Sequence, residues 1–576
     1  MILKTNKIEK MKLKNYIIPL TTAIAIILTS GLFAQQQGSS QSHNEQVTIV
    51  SSYDPSINQA FKINTSPGDM DFNIEKPEFT YEALDITLPT QISLSPIRPV
   101  VINADKRSKT YKNLLLAGVG SLFSPYLDFY HSSGNKNDYR FDAHLFQLSS
   151  FKNIKDYSPS PEIRALADID YRKFFRYHIL DAGFKYDIHS VRYYGFKQDD
   201  FPTVSIPDSR LKQTFNLAEA KIGLQSNYSS KKKLNHSFGI SAYYLFDSHK
   251  TNETYADLNL DLHKSFEVSD MLDYQNLGLE AEVQYYGNKD SLTSNTDILV
   301  NITPYFTGKY GIVNFNIGLN FNFLNSTTSN FYFYPIIDAS ISLIPDYLTA
   351  FAGVDGDVEK NSFRKLSNRN PWISSTIPLA WDRYFRAFGG IRGNFGQKVN
   401  YSAQVTWKKF NNEFFFVNIQ DGINPSLPHN KFTAIYDGGS VFTVEGQLTF
   451  AASEKVNLIA GVKFNTYSLD SLKEAYHKPS LESKLGIDVW VTKKLKVFGE
   501  VYYYGKRVAF DPTLNSTSGN IDLDGFIDLN AGVEYQLTNQ FSVWLNANNI
   551  LNNDYQRYLN YPVHGIQIMG GLTYKF

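Results

Sequence analysis

From about residue 109 to its C-terminus the chain repeats one device: segments of roughly 10–14 residues in which apolar and polar side chains alternate. The clearest runs over 313–323. Val313, Phe315, Ile317, Leu319, Phe321 and Phe323 fall on one side of an extended chain, and Asn314, Asn316, Gly318, Asn320 and Asn322 on the other. A helix would scatter these asparagines around its circumference, whereas a strand sends every second side chain to one face. The pattern recurs at Leu277, Leu279, Ala281, Val283 and Tyr285 around Glu280, Glu282 and Gln284. It recurs again at Ile527, Leu529, Ala531, Val533 and Tyr535 around Asp528, Asn530, Glu534 and Gln536. A carboxylate at every second position is too costly to seal unpaired in a soluble core. The polar face must be wet or internally paired, and the apolar face needs a nonpolar surrounding. Strands that line a transmembrane barrel meet both conditions.

Composition agrees. Aromatics make up 15% of the chain, with 38 Tyr and 42 Phe, while mean hydropathy is −0.30. Lipid-facing and lumen-facing residues cancel in such an average, and aromatic girdles raise the Tyr and Phe content. Residues 1–34 read as a signal peptide: Lys12 and Lys14, an apolar run from Tyr16 to Leu32, then Ala34 before Gln35. Beyond residue 34 no apolar stretch is long enough for a helical span. Without the leader the chain carries 51 basic and 55 acidic residues, which argues against a nucleic-acid footprint. There is no cysteine, so disulfides and thiolate metal sites are excluded.

Counting alternating segments from Lys109 predicts 22 antiparallel strands over 109–576, an all-β up-and-down transmembrane barrel. Among them are 347–354, 383–395, 399–410 and 440–452. Tight polar turns, as at 308–311, 396–398 and 537–540, alternate with longer connections at about 190–210, 355–382, 411–439, 467–480 and 505–521. Short turns belong on the periplasmic side of an outer-membrane barrel and long loops outside. The final segment alternates and stops on an aromatic: Ile566, Ile568, Leu572, Tyr574 and Phe576 share a face. Tyr574 and Phe576 are therefore the expected signal for the barrel-assembly machinery.

Near the C-terminus, Asn546, Asn549, Ile550, Leu551, Asn552 and Tyr555 precede Tyr561, Pro562 and Gly565. This hairpin, with the strand count, resembles the barrels of TonB-dependent receptors. The resemblance implies an outer-membrane protein that takes up or captures a solute at the cell surface. Such receptors fill the lumen with a folded N-terminal plug, for which the 35–108 stretch is short. That stretch carries Pro55, Pro67, Pro77, Pro89, Pro96 and Pro99, the composition of an extended periplasmic or luminal arm. Near its start, Val47, Thr48, Ile49 and Val50 look like the short box that such receptors pair with TonB as an added strand.

No catalytic constellation emerges, and no cofactor or metal is expected. Asp355, Asp357 and Glu359, and likewise Asp522 and Asp524, lack the ligand spacing of a calcium loop. His429 and His477 stand in outside loops without a partner set. The Tyr193-Tyr194, Phe414-Phe415-Phe416 and Tyr502-Tyr503-Tyr504 clusters read as an interfacial girdle. Trp372, Trp381, Tyr384 and Tyr503 are the candidate ligand contacts at the pore mouth. Two functional readings follow. A transporter or receptor needs a ligand that enters the lumen. A non-transporting scaffold in an outer-membrane complex needs stoichiometric partners, surface or periplasmic, and no conductance.

Overall fold

The first barrel strand, Asn113–Gly120, pairs with its neighbour Ser124–Ser132 and also with the last strand, Gln567–Lys575, so the sheet has no free edge. The computed structural model describes residues 111–576 apart from 135–137, 202–205, 229–232, 267–268, 397, 420–427 and 512–518. The leader, the arm and Val47, Thr48, Ile49 and Val50 lie outside the described residues. Twenty-two antiparallel strands form the closed sheet, as the alternation predicts. Closure satisfies every ladder, which a bilayer demands because lipid offers the backbone no partners.

The side chains are arranged inside out relative to a soluble protein. In the strand Val313–Asn325, Ile317 is 49% exposed and Asn322 is 0% exposed. The inward polar residues pair across strands. Thr303 donates to Asn320 (3.2 Å), Asn320 donates to Asp357 (3.0 Å), Asn301 donates to Glu282 (3.0 Å), and Tyr305 donates to Asp261 (3.0 Å). These bonds satisfy much of the polar lining and let carboxylates face the lumen.

At the seam, Gly118 sits opposite Gly571. A Cβ at Gly118 would lie 2.6 Å from the Trp544 ring, and one at Gly571 would lie 2.4 Å from it. The Gly118-Val119-Gly120 run thus makes room for an indole laid over the junction of first and last strands.

The two ends differ. One has connections of two to eight residues; the other carries the long loops 193–211, 362–379, 420–430, 470–480, 505–525 and 549–566. Three strands exceed their expected bounds on the long-loop side: Leu348–Asn361, Val399–Ile419 and Lys431–Ser453. The expected loop at 411–439 is therefore largely a paired extension, in which Glu413 opposes Asp437 and Val417 opposes Thr433 beyond a bulge at Phe410/Glu413. It escaped the alternation rule because both its faces are buried. Phe414 and Phe416 pack inward, whereas Phe415 and Val417 pack under Tyr476 of the 470–480 loop. The Phe cluster and Tyr193-Tyr194 are thus buried core, not an interfacial girdle. An additional hairpin, Arg507–Phe510 with Asn520–Leu523, forms within the loop expected at 505–521.

Candidate functional site

The strand Leu348–Asn361 leaves the barrel wall partway along its length. It pairs with Ser329–Ile344 only as far as Val354↔Ile337, yet it pairs with Ala380–Phe395 all the way to Asn361↔Ala380. The latter strand joins its other neighbour only from Tyr384↔Phe410 onward. The tip of this hairpin, 355–383, therefore leaves the ladders of both flanking strands and folds into the lumen as a lid, with Asn361, Trp381 and Asp382 still bonded to Asn411 and Asn412. Val358 and Trp381 on the tip cover the inward side chains Leu299, Leu324, Tyr332 and Tyr334 of the wall. Gly356 lets the tip approach, since a Cβ there would meet the Tyr334 ring at 2.5 Å.

Local sequence shapes the tip. Ser362 caps the short helix Phe363–Arg369 by accepting the N–H of Lys365 at 3.1 Å. The helix stops at Asn370 because Pro371 disfavours a helical residue before it. From there 370–379 runs as irregular chain, with Asn370 accepting the N–H of Trp372 (3.0 Å).

Buried charge fixes one side of this segment. Glu253 on the wall accepts the backbone N–H groups of Phe363 (2.7 Å) and Arg364 (3.2 Å), the Tyr243 hydroxyl (2.7 Å) and the Asn288 amide (2.7 Å). Arg364 forks onto Glu219 through both terminal nitrogens (3.3 and 2.7 Å). Lys360 reaches Asp297 (2.6 Å) and Asn288 (2.5 Å). Glu253 is 0% exposed, so its charge is tolerable only because four donors converge on it.

Backbone pairing and aromatics fix the other side. Ser374 N–H donates to Phe432 O (2.7 Å) and Phe432 N–H to Trp372 O (3.1 Å), on a strand ten places around the 22-strand wall from that of Glu219. Ser375 meets Gln213 (3.0 Å) and Asp247 back on the first side. Tyr193 donates to Ile373 O (2.8 Å) and Tyr558 to Arg369 O (2.6 Å). Trp372 stacks on Tyr561 at 4.2 Å. Tyr561 in turn donates to Asn430 O, and Tyr194 donates to Pro562 O (2.9 Å). The connections 193–211, 362–379 and 549–566 thus meet strand residues in one core that includes Phe215, Tyr243, Phe363, Phe414, Phe432 and Tyr561. Each buried Phe adds roughly 1.5–3 kcal/mol to closure.

The histidine singled out from the sequence in the 470–480 loop belongs to this core. His477 lies between the Phe432 ring (5.6 Å) and the Tyr558 ring (5.3 Å), with neither ring nitrogen hydrogen-bonded. Burial, and secondarily the Arg507 guanidinium, push its pKa down to about 3. Burial likewise pushes the Tyr558 hydroxyl up to about 12.

A cavity of about 570 Å³ opens on the lumen between the wall and the 549–566 loop. Its lining alternates charge and ring, including Lys463, Glu482, Lys484, Tyr504, Tyr555 and Arg557. Phe526 and Tyr555 stack at 3.7 Å with rings 4° apart. Lys463 and Arg557 make no ion pair among the described residues.

The four candidate mouth contacts are not one site. Trp372 is in the lid core, and Trp381 is edge-on to Tyr286 beneath Lys360. Tyr384 faces the lumen under Lys408 (4.6 Å). Tyr503 shares the outward face with Val497 and Val501, opposite Glu500 and Tyr502. Asp355 pairs with Arg386, and no group of three or more metal-ligating side chains is present among the described residues. Tyr574 and Phe576 stack at 5.1 Å on the outward face of the closing strand. The lid contacts at Glu219, Glu253 and Phe215 were missed, although the sequence holds a signal. In 213–217 the alternation inverts: Phe215 and Leu217 lie on the face of Glu219, and Thr214 and Asn216 on the lipid side.

The C-terminal motif residues organise the 549–566 loop, which packs on Trp372 through Tyr561. Asn549 accepts the N–H of Asn553 (3.0 Å) and donates to Asn553 O and His564 O (both 2.9 Å), while Tyr555 donates to Asp528 (2.8 Å).

No family model and no curated protein matches the chain in sequence. Solved structures match it in fold. The siderophore receptor PirA from Acinetobacter baumannii superposes with a TM-score of 0.61 at 11% identity, over 82% of this chain and 81% of that one. The pyoverdine outer-membrane receptor FpvA from Pseudomonas aeruginosa gives 0.60 at 13%, over 82% and 79%. The FrpB iron transporter from Neisseria meningitidis gives 0.59 at 12%, over 81% and 82%. The fold is the closed 22-strand barrel of TonB-dependent receptors.

Proposed function

We propose that this chain is an outer-membrane receptor and transporter of the TonB-dependent type, whose lumen opens to the cell surface when the 355–383 hairpin tip moves. The observation that carries the reading is the closure itself: one segment tied to opposite sides of the wall, in a lumen that also holds a charge- and ring-lined cavity beside the 549–566 loop. Long loops on one end only give the direction, since these face outward in outer-membrane barrels. Outer-membrane lipid surrounds the wall, and the barrel-assembly machinery engages Tyr574 and Phe576. In this reading Val47, Thr48, Ile49 and Val50 pair with TonB, and the arm 35–108 couples that pull to the gate.

The scaffold reading draws support from the completeness of the lid core, with Phe363, Phe432 and Tyr561 at most 1% exposed. Planar-bilayer conductance separates the two. The full mature chain is compared with one lacking 35–108 and one whose 363–378 is replaced by a short Gly-Ser linker. Silence of the full chain with steady conductance of the linker chain supports a gated lumen. No conductance from any of the three, with a partner that co-purifies stoichiometrically, replaces transport by the scaffold.

A further inference from the structure

On the short-turn rim, two strand connections gather rings and cations with no acid among them. Lys233 Nζ stands 4.9 Å from the centre of the Tyr177 ring and 4.6 Å from that of Tyr228. The Arg176 guanidinium lies 5.1 Å from the Tyr177 ring. His178 and His236 come next, 5.3 Å apart and each 6.0 Å from Tyr228. Arg176 and Lys233 make no ion pair among the described residues. Both cations stand about 5 Å from the Tyr177 ring, and neighbouring cations gain from a shared anion, the more so at a low-dielectric interface.

The patch is placed for a lipid. His178 and His236 begin the outward faces of the strands His178–Arg192 and Asn235–Asp247. The same faces continue through Phe184, Ile240 and Phe238, and the strand between them adds Ile222 and Leu224, all exposed and apolar. In register, Ile222 lies beside Ile240 and Leu224 beside Phe238. A cationic cluster at the membrane edge that runs directly into an apolar band matches a molecule with an anionic head and hydrocarbon tails.

We propose that Arg176 and Lys233, framed by Tyr177 and Tyr228, bind the phosphate of an anionic phospholipid in the leaflet at the short-turn end. The rings fix the two cations by cation–π contact, and the acyl chains lie along Phe184, Ile222, Leu224, Phe238 and Ile240. The site does not depend on whether the barrel transports, only on its spanning a membrane.

Native mass spectrometry of the full mature chain in detergent, titrated with phosphatidylglycerol, tests this. One lipid per barrel is expected to be retained, and diacylglycerol, which lacks the phosphate, is not. Each basic residue near a membrane surface contributes roughly fivefold to affinity for anionic lipid, so Arg176→Ala with Lys233→Ala weakens retention by about twenty-fivefold. Arg176→Lys keeps most of it, and Lys455→Ala, at a different short turn, changes nothing. Both alanine variants alter turn side chains, and heat-modifiable migration reports that the barrel is intact. Equal retention by the wild type and the double alanine variant overturns the site. Displacement of the lipid by millimolar inorganic phosphate overturns the lipid assignment in favour of free anion binding.

Discussion

The carboxylate of Glu253 accepts the backbone N–H of Phe363 at 2.7 Å, joining a wall strand to a segment that begins five strands further round the barrel. That bond and its neighbours hold the hairpin tip inside the lumen. Lid stability therefore rests on a few wall residues, and each can be tested.

Replacing Glu253 by Ala strips four donors of their shared acceptor, while the Arg364 side chain keeps Glu219 and the Tyr243 ring. Breaking a buried charged network of this kind costs about 3–5 kcal/mol. The barrel should stay closed by heat-modifiable migration, while hydrogen exchange at 363–375 accelerates by at least tenfold. Unchanged protection of that segment would mean the aromatic core alone holds the lid.

The cysteine-free chain allows a clean lock. Gln213 and Ser375 touch side chain to side chain at 3.0 Å. With Gln213→Cys and Ser375→Cys, bridging the thiols with a short, reducible bis-methanethiosulfonate that replaces the reach of the Gln213 side chain should abolish opening events in planar bilayers, and a reductant should bring them back. Equal event rates in both redox states would show that the lid is not the gate.

Lid closure should depend on pH through His477. Its ring is held near a pKa of about 3, against 6.5 for a free side chain. Below pH 6.5 an opened lid takes up a proton that the closed lid refuses. Closure is thus fully stable above about pH 6.5 and weakens by up to about 1.4 kcal/mol per pH unit as pH falls toward 3. His477 has a positive φ of 60°, so Asn is the fitting replacement. In His477→Asn, exchange at 370–376, corrected for intrinsic rates, should lose this acid sensitivity. An identical pH profile in the variant would assign the effect elsewhere.

Closure of the barrel has its own test at the seam. Gly118→Val should clash with the Trp544 ring and with Gly570 O, 2.9 Å from a Cβ at that position, at a cost of roughly 1–3 kcal/mol. The folded fraction on a heat-modifiability gel should drop, and Trp544→Ala should rescue Gly118→Ala more than it rescues Gly118→Val. A fully folded Gly118→Val would mean the seam has slack that the close approach denies.

The boundaries read from alternation mark where strands belong to the wall. The segments expected at 347–354 and 383–395 end close to Val354↔Ile337 and Tyr384↔Phe410, where wall pairing ends. Those expected at 399–410 and 440–452 end at Phe410↔Gly439, the edge of the bulge. Beyond these points the chain is still paired strand, but a strand between two packed layers has no dry face opposite a wet one, and the period-two signal disappears.

By itself the sequence determined the class of fold, the strand count and, outside inverted stretches such as 213–217, the face of the wall residues. Those follow from a period of two imposed by lipid on one side and a polar lumen on the other. Only the tertiary structure decided what stands in the lumen. That Trp372 stacks on Tyr561, 189 residues away, and that Glu253 receives the N–H of Phe363, depend on several loops meeting over one opening. Local pattern carries no record of such meetings, because each residue there satisfies a partner set by barrel closure and not by its neighbours in the chain.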